Sequence, residues 1–335
     1  LKRTVSGHGN PRPKHVFLIL MESHSGWTLL PAYRDAGFSP ELARLADRGL
    51  YFPHFLPSGD GTANSMNALL TGFADSRLNI NYEANSLAPY PTAIAETFRR
   101  MGYRTRFFYG GFLSWQRLDS FAQSQGFDEV YGGGSMSDNA ATNEWGVDDR
   151  ALFDFVLNTV PDEEPSFNFI LTTSNHPPYD LPLDELGFPV KSIPEPLEAT
   201  KADTLRILGH LWYTDRQTGR FVDRAAERLS RPLFALTGDH TARLQVRFPG
   251  DSVFEQYGVP FLLYGPEVLD GVKANTAVAG SHLDIPRTLY ELSAAPGFDY
   301  YSLGTDLLRP ESPDYGLGYD FIIGEHYIAT NTENP

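Results

Sequence analysis

Three short segments carry side chains that together could activate a hydroxyl group. Thr62 lies in a glycine-flanked turn, Glu22 follows an apolar run, and Asp239 and His240 stand side by side after another. A threonine hydroxyl is a poor nucleophile until a base or a metal removes its proton. Carboxylate oxygens and imidazole nitrogens bind Mg²⁺, Mn²⁺ or Zn²⁺, and such an ion also neutralises charge on a phosphoryl or sulfuryl group. The set predicts metal-assisted transfer, with Thr62 as nucleophile and fourth ligand.

Simpler interpretations of the same residues stay open. Asp239 and His240 could merely end a strand and cap the next segment, and Thr62 could be the N-cap of the apolar helical stretch Met66–Leu70. Capping and catalysis are compatible at Thr62, because a helix N-terminus offers N–H donors and a positive dipole end to an incoming anion. Glu22 is harder to dismiss, since a carboxylate beside a buried strand requires a partner.

Alternating strands and helices position these residues. The apolar, partly β-branched run Val16–Leu20 predicts a buried strand that ends at Glu22, and Pro232–Thr237 predicts another that ends before Asp239. Further strands are predicted at 103–109, 167–172 and 259–264, and helices at 39–48, 91–101, 114–125, 147–160, 199–229 (one helix or a pair) and 284–293. This order predicts an α/β fold whose central sheet is mostly parallel, with helices on both faces. Ligands of such sheets collect at the carboxyl ends of the strands, where Glu22 and Asp239 can meet.

The last part of the chain loses this alternation. We therefore predict a catalytic α/β domain over residues 1–290 and a small β-rich subdomain over residues 291–335. A chain of 335 residues is long enough for this division.

Composition excludes several classes of function. The formal net charge of −15 disfavours nucleic acid as a partner and leaves no polybasic segment for an anionic membrane. The chain has no cysteine, which excludes disulfides, thiolate metal sites and cysteine catalysis. The longest purely apolar run, Val16–Met21, is far shorter than the roughly 20 residues that span a bilayer. The chain is expected to be a soluble protein or the soluble portion of a larger one.

Several motifs give the chain a family resemblance. Beyond Glu22, Thr62 and Gly238-Asp239-His240, they are Trp115-Gln116-Arg117, Ser174-Asn175-His176-Pro177-Pro178-Tyr179 and Ser281-His282-Leu283-Asp284. In type and order they resemble the extracytoplasmic sulfatase-like domain of lipoteichoic acid synthases and related phosphoglycerol transferases, within the alkaline phosphatase superfamily. The resemblance implies an alkaline phosphatase/sulfatase-like fold. It also implies one divalent ion, with Mn²⁺ expected and Mg²⁺ or Zn²⁺ as alternatives, held by Glu22, Thr62, Asp239 and His240.

The resemblance also implies residues that hold a phosphoglycerol headgroup. These are Trp115, Arg117 and His176. Arg117 can hold a phosphate through paired N–H donors, and His176 can hydrogen-bond it or protonate a leaving alkoxide. Taken alone, Arg117 could be a solvated surface charge, His176 a loop histidine and Trp115 a core residue. Where many of these synthases have a histidine, this chain has Tyr109, which could donate a hydrogen bond to the substrate but cannot be a cation.

The implied reaction is a double displacement. Thr62 would attack a phosphatidylglycerol-type lipid, and a hydroxyl acceptor (a glycolipid, polyglycerol phosphate or a periplasmic glucan) or water would then take the phosphoglycerol group. The resemblance places the chain outside the cytoplasm, as the ectodomain of a membrane protein tethered through a segment absent from this chain. His282 with Asp284 could form a second metal site, although one metal is the preferred interpretation.

Other members of the superfamily give competing hypotheses. A sulfatase requires a Cys or Ser in a Cys/Ser-x-Pro-x-Arg context, which the residues after Thr62 do not provide. A phosphatase or phosphodiesterase usually needs more Asp and His ligands, and phosphoethanolamine transferases typically have disulfide-rich catalytic domains. A non-catalytic glycan- or polymer-binding module is the alternative from another class, but retention of all four ligands favours an enzyme.

Overall fold

Seven strands form the central sheet. The computed structural model describes residues 1–74, 78–136, 142–241, 243, 245–250, 252–309, 315–318, 321–324 and 327–330, and all counts refer to these. In chain order the strands are β1 (His15–Met21), β2 (Leu50–Phe52), β3 (Arg104–Tyr109), β4 (Glu129–Tyr131), β5 (Ser166–Leu171), β6 (Pro232–Gly238) and β7 (Phe261–Tyr264). Strands β1, β5 and β6 are buried along their whole length, as continuous apolar runs predict.

Most strands of this sheet are parallel. Their order across the sheet is β2, β7, β6, β1, β5, β3, β4. Strands β6, β1, β5, β3 and β4 pair in parallel, whereas β7 runs antiparallel to both of its neighbours. Parallel neighbours require crossover connections, which the helices between them supply. The prediction of an α/β fold with a mostly parallel sheet is confirmed.

Seven helices are long enough to cover the sheet or the site. They are α1 (Pro40–Ala46), α2 (Thr62–Thr71), α3 (Ile94–Arg100), α4 (Leu118–Ser124), α5 (Asp149–Thr159), α6 (Thr204–Arg228) and α7 (Asp284–Ser293). The bounds of α7 are those predicted, and α6 is one helix of 25 residues rather than a pair.

Shorter elements fill the connections. Helical turns lie at Leu183–Leu186, Val253–Tyr257 and Pro266–Leu269, and 3₁₀ turns at Gly26–Leu29, Arg34–Ala36, Ile80–Tyr82, Ala84–Leu87, Trp115–Arg117 and Gly133–Ser135. Two-residue or three-residue strands pair as Lys2–Thr4 with Asp299–Tyr301, Phe55–Leu56 with Gly280–Ser281, Glu198–Ala199 with Val246–Arg247, and Thr142–Asn143 with Gly146–Val147.

Alternating side chains of the strands supply two cores, one on each face. In β1, Leu18 and Leu20 belong to the core that also contains Phe98 of α3, whereas Phe17 and Ile19 belong to the core beneath α1, α5 and α6. Burial of each such side chain stabilises the fold by about 1.5–3 kcal/mol. The strand ends are therefore held from both sides, which fixes the residues that follow them.

The segment before α4 departs from the predicted helix. Residues 114–125 were expected to form one helix, but a 3₁₀ turn precedes α4, and Gln116 and Arg117 have φ of +52° and +53°. Residues other than glycine rarely adopt this left-handed region, so the turn must be held by tertiary contacts. The Asn81 side-chain amide supplies such contacts by donating to the Gln116 carbonyl oxygen at 2.5 Å and to its Oε1 at 2.8 Å.

The C-terminal region contains a separate small sheet. Strands β8 (Tyr315–Leu317), β9 (Phe321–Gly324) and β10 (Tyr327–Thr330) pair antiparallel in that order. Residues 291–309, between the predicted boundary and this small sheet, include Tyr300, which is buried in the main core. A domain boundary at residue 290 stays a prediction. Among the described residues, none of the helices combines the length and apolar character needed to cross a membrane.

Candidate active site

The carboxyl ends of β1 and β6 bring the predicted ligands together. These strands pair in parallel with Met21 opposite Gly238, so Glu22 and Asp239 both follow at the same edge. The Asp239 N–H donates to the Met21 carbonyl oxygen at 3.0 Å and extends the pairing by one residue. The convergence expected from the strand order is therefore present in the structure.

Local backbone geometry depends on two small residues at this edge. A Cβ on Gly238 would lie 2.0 Å from the His24 carbonyl oxygen, so the close approach of the two chain segments requires glycine. Ser23 has φ of +49°, and its N–H donates to Asp239 Oδ1 at 2.6 Å. The same oxygen accepts the His240 N–H at 2.7 Å. Asp239 is thus fixed by two backbone donors, which leaves Oδ2 to face its neighbours.

Glu22, Asp239 and His240 form a compact buried group. One potential ligand atom from each lies within 4.8 Å of the others. His240 Nε2 is 3.3 Å from Asp239 Oδ2 and 3.9 Å from Glu22 Oε1. Two carboxylates and an imidazole at these distances offer oxygen and nitrogen ligands that suit a divalent cation such as Mn²⁺, Mg²⁺ or Zn²⁺.

Thr62 is the first residue of α2 and points its hydroxyl at this group. Thr62 Oγ1 donates to Glu22 Oε2 at 3.1 Å and lies 3.3 Å from His240 Nε2. Gly61, not Thr62, is the N-cap of α2, and no side chain caps the helix, so the predicted capping role is wrong. The hydroxyl contacts the candidate ligands instead, at the positive end of a ten-residue helix.

The ionisable groups of this site are strongly perturbed. Burial and the nearby Glu22 charge raise the pKa of Asp239 well above its ordinary value. Burial acts to raise the pKa of Glu22 as well, but His240 and Arg243 outweigh it, and that pKa is lowered. Burial lowers the pKa of His240, which favours the neutral imidazole that a metal requires. A divalent cation would stabilise the ionised forms of both buried carboxyl groups, which otherwise repel each other. The residues present therefore fit such an ion.

His282 and Asp284 are engaged in structural hydrogen bonds. His282 Nδ1 accepts the Ser58 N–H at 3.2 Å, and its Nε2 lies 2.9 Å from the Gly238 carbonyl oxygen. Asp284 accepts the N–H groups of Ser281 at 2.8 Å and Thr305 at 2.7 Å. Among the described residues, the group of possible metal ligands is Glu22, Asp239 and His240, without His282.

The four residues expected at the headgroup lie in loops and at a strand end. Tyr109 ends β3 and is buried, and its ring lies 5.8 Å from that of Trp115. Burial raises the pKa of Tyr109, so its hydroxyl stays protonated and can donate. Arg117 is exposed, with its guanidinium 5.6 Å from the centre of the Tyr82 ring. His176 Nδ1 lies 2.8 Å from the Pro177 carbonyl oxygen.

Two side chains that sequence reasoning missed complete the surroundings of His176. The Trp145 ring, 37% exposed, lies 3.9 Å from the His176 ring. The Arg243 guanidinium contacts Glu22, and its Nη2 is 2.8 Å from His176 Nε2. A cation only three positions after His240 was the available signal for Arg243. We call Glu22, Thr62, Asp239 and His240 the strand-end site, and we use the name headgroup site for the four residues predicted to hold a headgroup, Tyr109, Trp115, Arg117 and His176.

The fold and the strand-end site together define a class of protein. A mostly parallel α/β sheet carries a buried group of Glu22, Asp239 and His240 beside a threonine at a helix N-terminus. The family model described as Sulfatase matches residues 14–295, so the chain belongs to the sulfatase family.

Relatives and solved structures agree with this class. The phosphoglycerol transferase I of Citrobacter koseri is 31% identical over 125 residues, which is 35% of this chain, and the match spans 16% of the length of that relative. The lipoteichoic acid synthase LtaP from Listeria monocytogenes superposes with a TM-score of 0.76 at 18% identity, over 98% of this chain and 86% of that one. A protein of the alkaline phosphatase superfamily from Vibrio parahaemolyticus gives 0.74 at 21% identity, over 99% and 80%. These likenesses show the sulfatase-like fold.

Proposed function

We propose that the chain transfers a phosphoglycerol group from a phosphatidylglycerol-type lipid to a hydroxyl acceptor through a covalent ester on Thr62. The observation that carries the proposal is the position of Thr62 Oγ1, 3.1 Å from Glu22 and 3.3 Å from His240 at the start of a helix. The similarity to phosphoglycerol transferase I and the LtaP-like fold support phosphoglycerol as the group transferred.

Each residue of the strand-end site has a proposed role. Glu22, Asp239 and His240 would hold one divalent cation, with Mn²⁺ expected and Mg²⁺ or Zn²⁺ as alternatives. That cation would lower the pKa of the Thr62 hydroxyl and neutralise charge on the phosphoryl group. The protein fixes the ligands beforehand through the buried hydrogen bonds of Asp239 and Glu22, which limits reorganisation during the reaction.

The reaction proceeds in two displacements at phosphorus. In the first, the bond from Thr62 Oγ1 to phosphorus forms, the bond from phosphorus to the diacylglycerol oxygen breaks, and the proton of Thr62 ends on that oxygen. In the second, an acceptor hydroxyl attacks phosphorus, Thr62 leaves, and the acceptor proton returns to Thr62. With a glycolipid, polyglycerol phosphate or glucan as acceptor the chain is a transferase, and with water it is a phosphodiesterase.

The headgroup site is proposed to orient the substrate. His176 would hydrogen-bond the headgroup or serve the proton transfers, and Tyr109 would donate a hydrogen bond from its hydroxyl to a substrate oxygen. Trp115 packs against Tyr109 and would form the wall of the site, and Arg117 would hold phosphate oxygen through its N–H donors.

The proposed surroundings follow from the lipid donor. A phosphatidylglycerol-type headgroup is presented at a membrane surface, so we propose that the chain works at the extracytoplasmic face, tethered through a segment outside the present sequence. The net charge of −15 disfavours nucleic acid as a partner.

Mass spectrometry of the intact protein tests the proposal directly. After incubation with phosphatidylglycerol and Mn²⁺, we expect diacylglycerol release and a phosphoglycerol adduct that maps to Thr62. Thr62→Ala should show neither. Ser65→Ala is the matched control, because this hydroxyl lies in the same helix and donates to the Gly59 carbonyl oxygen rather than to the strand-end site.

Other outcomes distinguish the alternatives. An adduct with phosphatidylethanolamine alone would identify a phosphoethanolamine transferase, and turnover with water alone a phosphodiesterase or phosphatase. Absence of both bound metal and adduct would favour a glycan-binding module. An adduct that persists in Thr62→Ala would contradict the mechanism.

A further inference from the structure

Arg243 connects the strand-end site to the headgroup site. Its Nη1 donates to Glu22 Oε1 and, at 3.1 Å, to Ser23 Oγ, while its Nη2 lies 2.8 Å from His176 Nε2. A guanidinium has N–H donors and no acceptor, so His176 Nε2 is the acceptor in this contact. His176 therefore carries its proton on Nδ1, which faces the Pro177 carbonyl oxygen.

Arg243 and Thr62 contact different oxygens of the Glu22 carboxylate. The guanidinium contacts Oε1, whereas the Thr62 hydroxyl contacts Oε2. One carboxylate thus faces the nucleophile with one oxygen and the guanidinium with the other.

The Arg243 side chain also has the exposure and chemistry needed to bind an anion. It is 30% exposed, while the Glu22 carboxylate beneath it is 5% exposed. The three contacts to Glu22, Ser23 and His176 use three of the five donors of a guanidinium. Arginine is suited to phosphate because its planar donors match two oxygens and its charge does not depend on pH.

A comparison with Arg117 strengthens this assignment. The Arg117 guanidinium lies over the Tyr82 ring in an exposed turn, whereas Arg243 contacts a carboxylate that is itself 3.1 Å from the nucleophile hydroxyl. Of the two, Arg243 is the guanidinium that contacts a carboxylate of the strand-end site.

We propose that Arg243 is a substrate-binding residue. Its guanidinium donates hydrogen bonds to a non-bridging oxygen of the substrate phosphodiester, which binds in the space between Thr62 and His176. The proposal rests on the phosphoglycerol transfer proposed above and names the positive charge that this reaction needs beside the nucleophile. When a phosphate oxygen takes the Nη2 donor that contacts His176, His176 Nε2 is released and becomes available to the substrate. Phosphate binding and the freeing of His176 are thus coupled through one side chain.

Direct binding of glycerol phosphate tests this role without turnover. Calorimetry of the Mn²⁺-loaded protein would measure glycerol phosphate affinity, and Mn²⁺ affinity would be measured separately. We expect Arg243→Gln to weaken glycerol phosphate binding by at least about tenfold, the loss of a charged hydrogen bond. Mn²⁺ affinity should stay equal or increase, because the variant removes a positive charge near the cation while Ser23 still donates to Glu22 Oε1 at 2.8 Å.

Two further variants make the result specific. Arg243→Lys keeps the charge and should recover part of the affinity. Arg247→Gln is the matched control, since Arg247 is an exposed arginine four positions later, 3.5 Å from Glu198, and it should bind as the wild type does. Loss of Mn²⁺ affinity together with phosphate affinity in Arg243→Gln would indicate a merely structural residue and overturn the proposal.

The outcome for Arg243 is separable from the outcome for the proposed function. Unchanged glycerol phosphate affinity in Arg243→Gln, or no affinity in the wild type, would overturn the role of Arg243. Absence of a Thr62 adduct in the wild type would overturn the transfer reaction, even where glycerol phosphate binds through Arg243.

Discussion

The strand-end site and the headgroup site are built in different ways. Glu22 and Asp239 follow two paired, fully buried strands, and their side chains are fixed by short hydrogen bonds to the backbone or to neighbouring side chains. Arg117 instead lies in an exposed turn with a left-handed backbone, and His176 follows β5 in a loop beside the partly exposed Trp145. The first site is a rigid part of the sheet edge, whereas the second depends on loop conformation. We therefore expect the first to control the chemical step and the second to control substrate binding.

The largest expected effect follows removal of one strand-end carboxylate. Asp239→Asn keeps an oxygen that can accept the Ser23 and His240 N–H groups but removes the negative charge that a divalent cation would require. Metal activation of a nucleophile is worth several kcal/mol, so we expect kcat to fall by about a thousandfold or more. Diacylglycerol release and metal content by elemental analysis measure the two consequences, and chelation of the wild-type protein should reproduce the loss.

Asp215→Asn is the matched control for this substitution. Asp215 is likewise buried and accepts two backbone N–H groups, from Glu41 and Leu42 at 2.8 Å each, one on each oxygen, at the start of α1 rather than at the ends of β1 and β6. Its variant loses one of the two acceptor oxygens and should be less stable, but the folded protein should keep metal and activity. Full activity of Asp239→Asn, or equal loss in both variants, would contradict the distinction between the rigid chemical site and the rest of the core.

The same contrast explains which features could be predicted from the sequence. Continuous apolar runs end at Glu22 and before Asp239, so the strands and the edge on which the ligands meet follow from hydrophobic pattern and the rule for parallel sheets. The backbone of Gln116 could not be predicted, because the contact that holds it comes from Asn81, 35 positions away. The role of Arg243 was missed because its partner His176 lies 67 positions earlier in the chain, although its position three residues after His240 was a local signal.

An intermediate effect is expected at the headgroup site. Arg117→Gln should raise KM for phosphatidylglycerol by about three- to tenfold and change kcat by less than about threefold, because an exposed guanidinium contributes a solvent-screened contact. Steady-state kinetics of diacylglycerol release separate the two constants. A fall in kcat as large as that of Asp239→Asn would place Arg117 in the chemical step and remove the functional difference between the two sites.

The smallest expected effect is a loss of stability in acid, through a buried histidine whose hydrogen bonds support the strand-end site. Burial lowers the pKa of His282 to about 3. Its Nδ1 accepts the Ser58 N–H, so a proton there would oppose that donor. The unfolded chain binds this proton below about pH 6.5, whereas the folded chain does so only near pH 3, and stability is therefore lost as pH falls between these values. We expect the free energy of unfolding to fall by about 1 kcal/mol from this histidine between pH 7 and pH 5.5.

A comparison of wild type with His282→Gln isolates this contribution. Glutamine can accept from Ser58 and donate to the Gly238 carbonyl oxygen, but it does not titrate. Urea unfolding at several pH values should show that the free energy of unfolding of the variant depends less steeply on pH. The difference in slope should correspond to at most one bound proton. The quantity to compare is the difference between the two curves of unfolding free energy against pH, because other groups also titrate. Burial raises the pKa of Asp215 to about 8, so this group stabilises the fold as pH falls. Parallel curves of unfolding free energy against pH would show that protonation of His282 does not change stability. The support of the strand-end site would then be no more acid-sensitive than the rest of the fold.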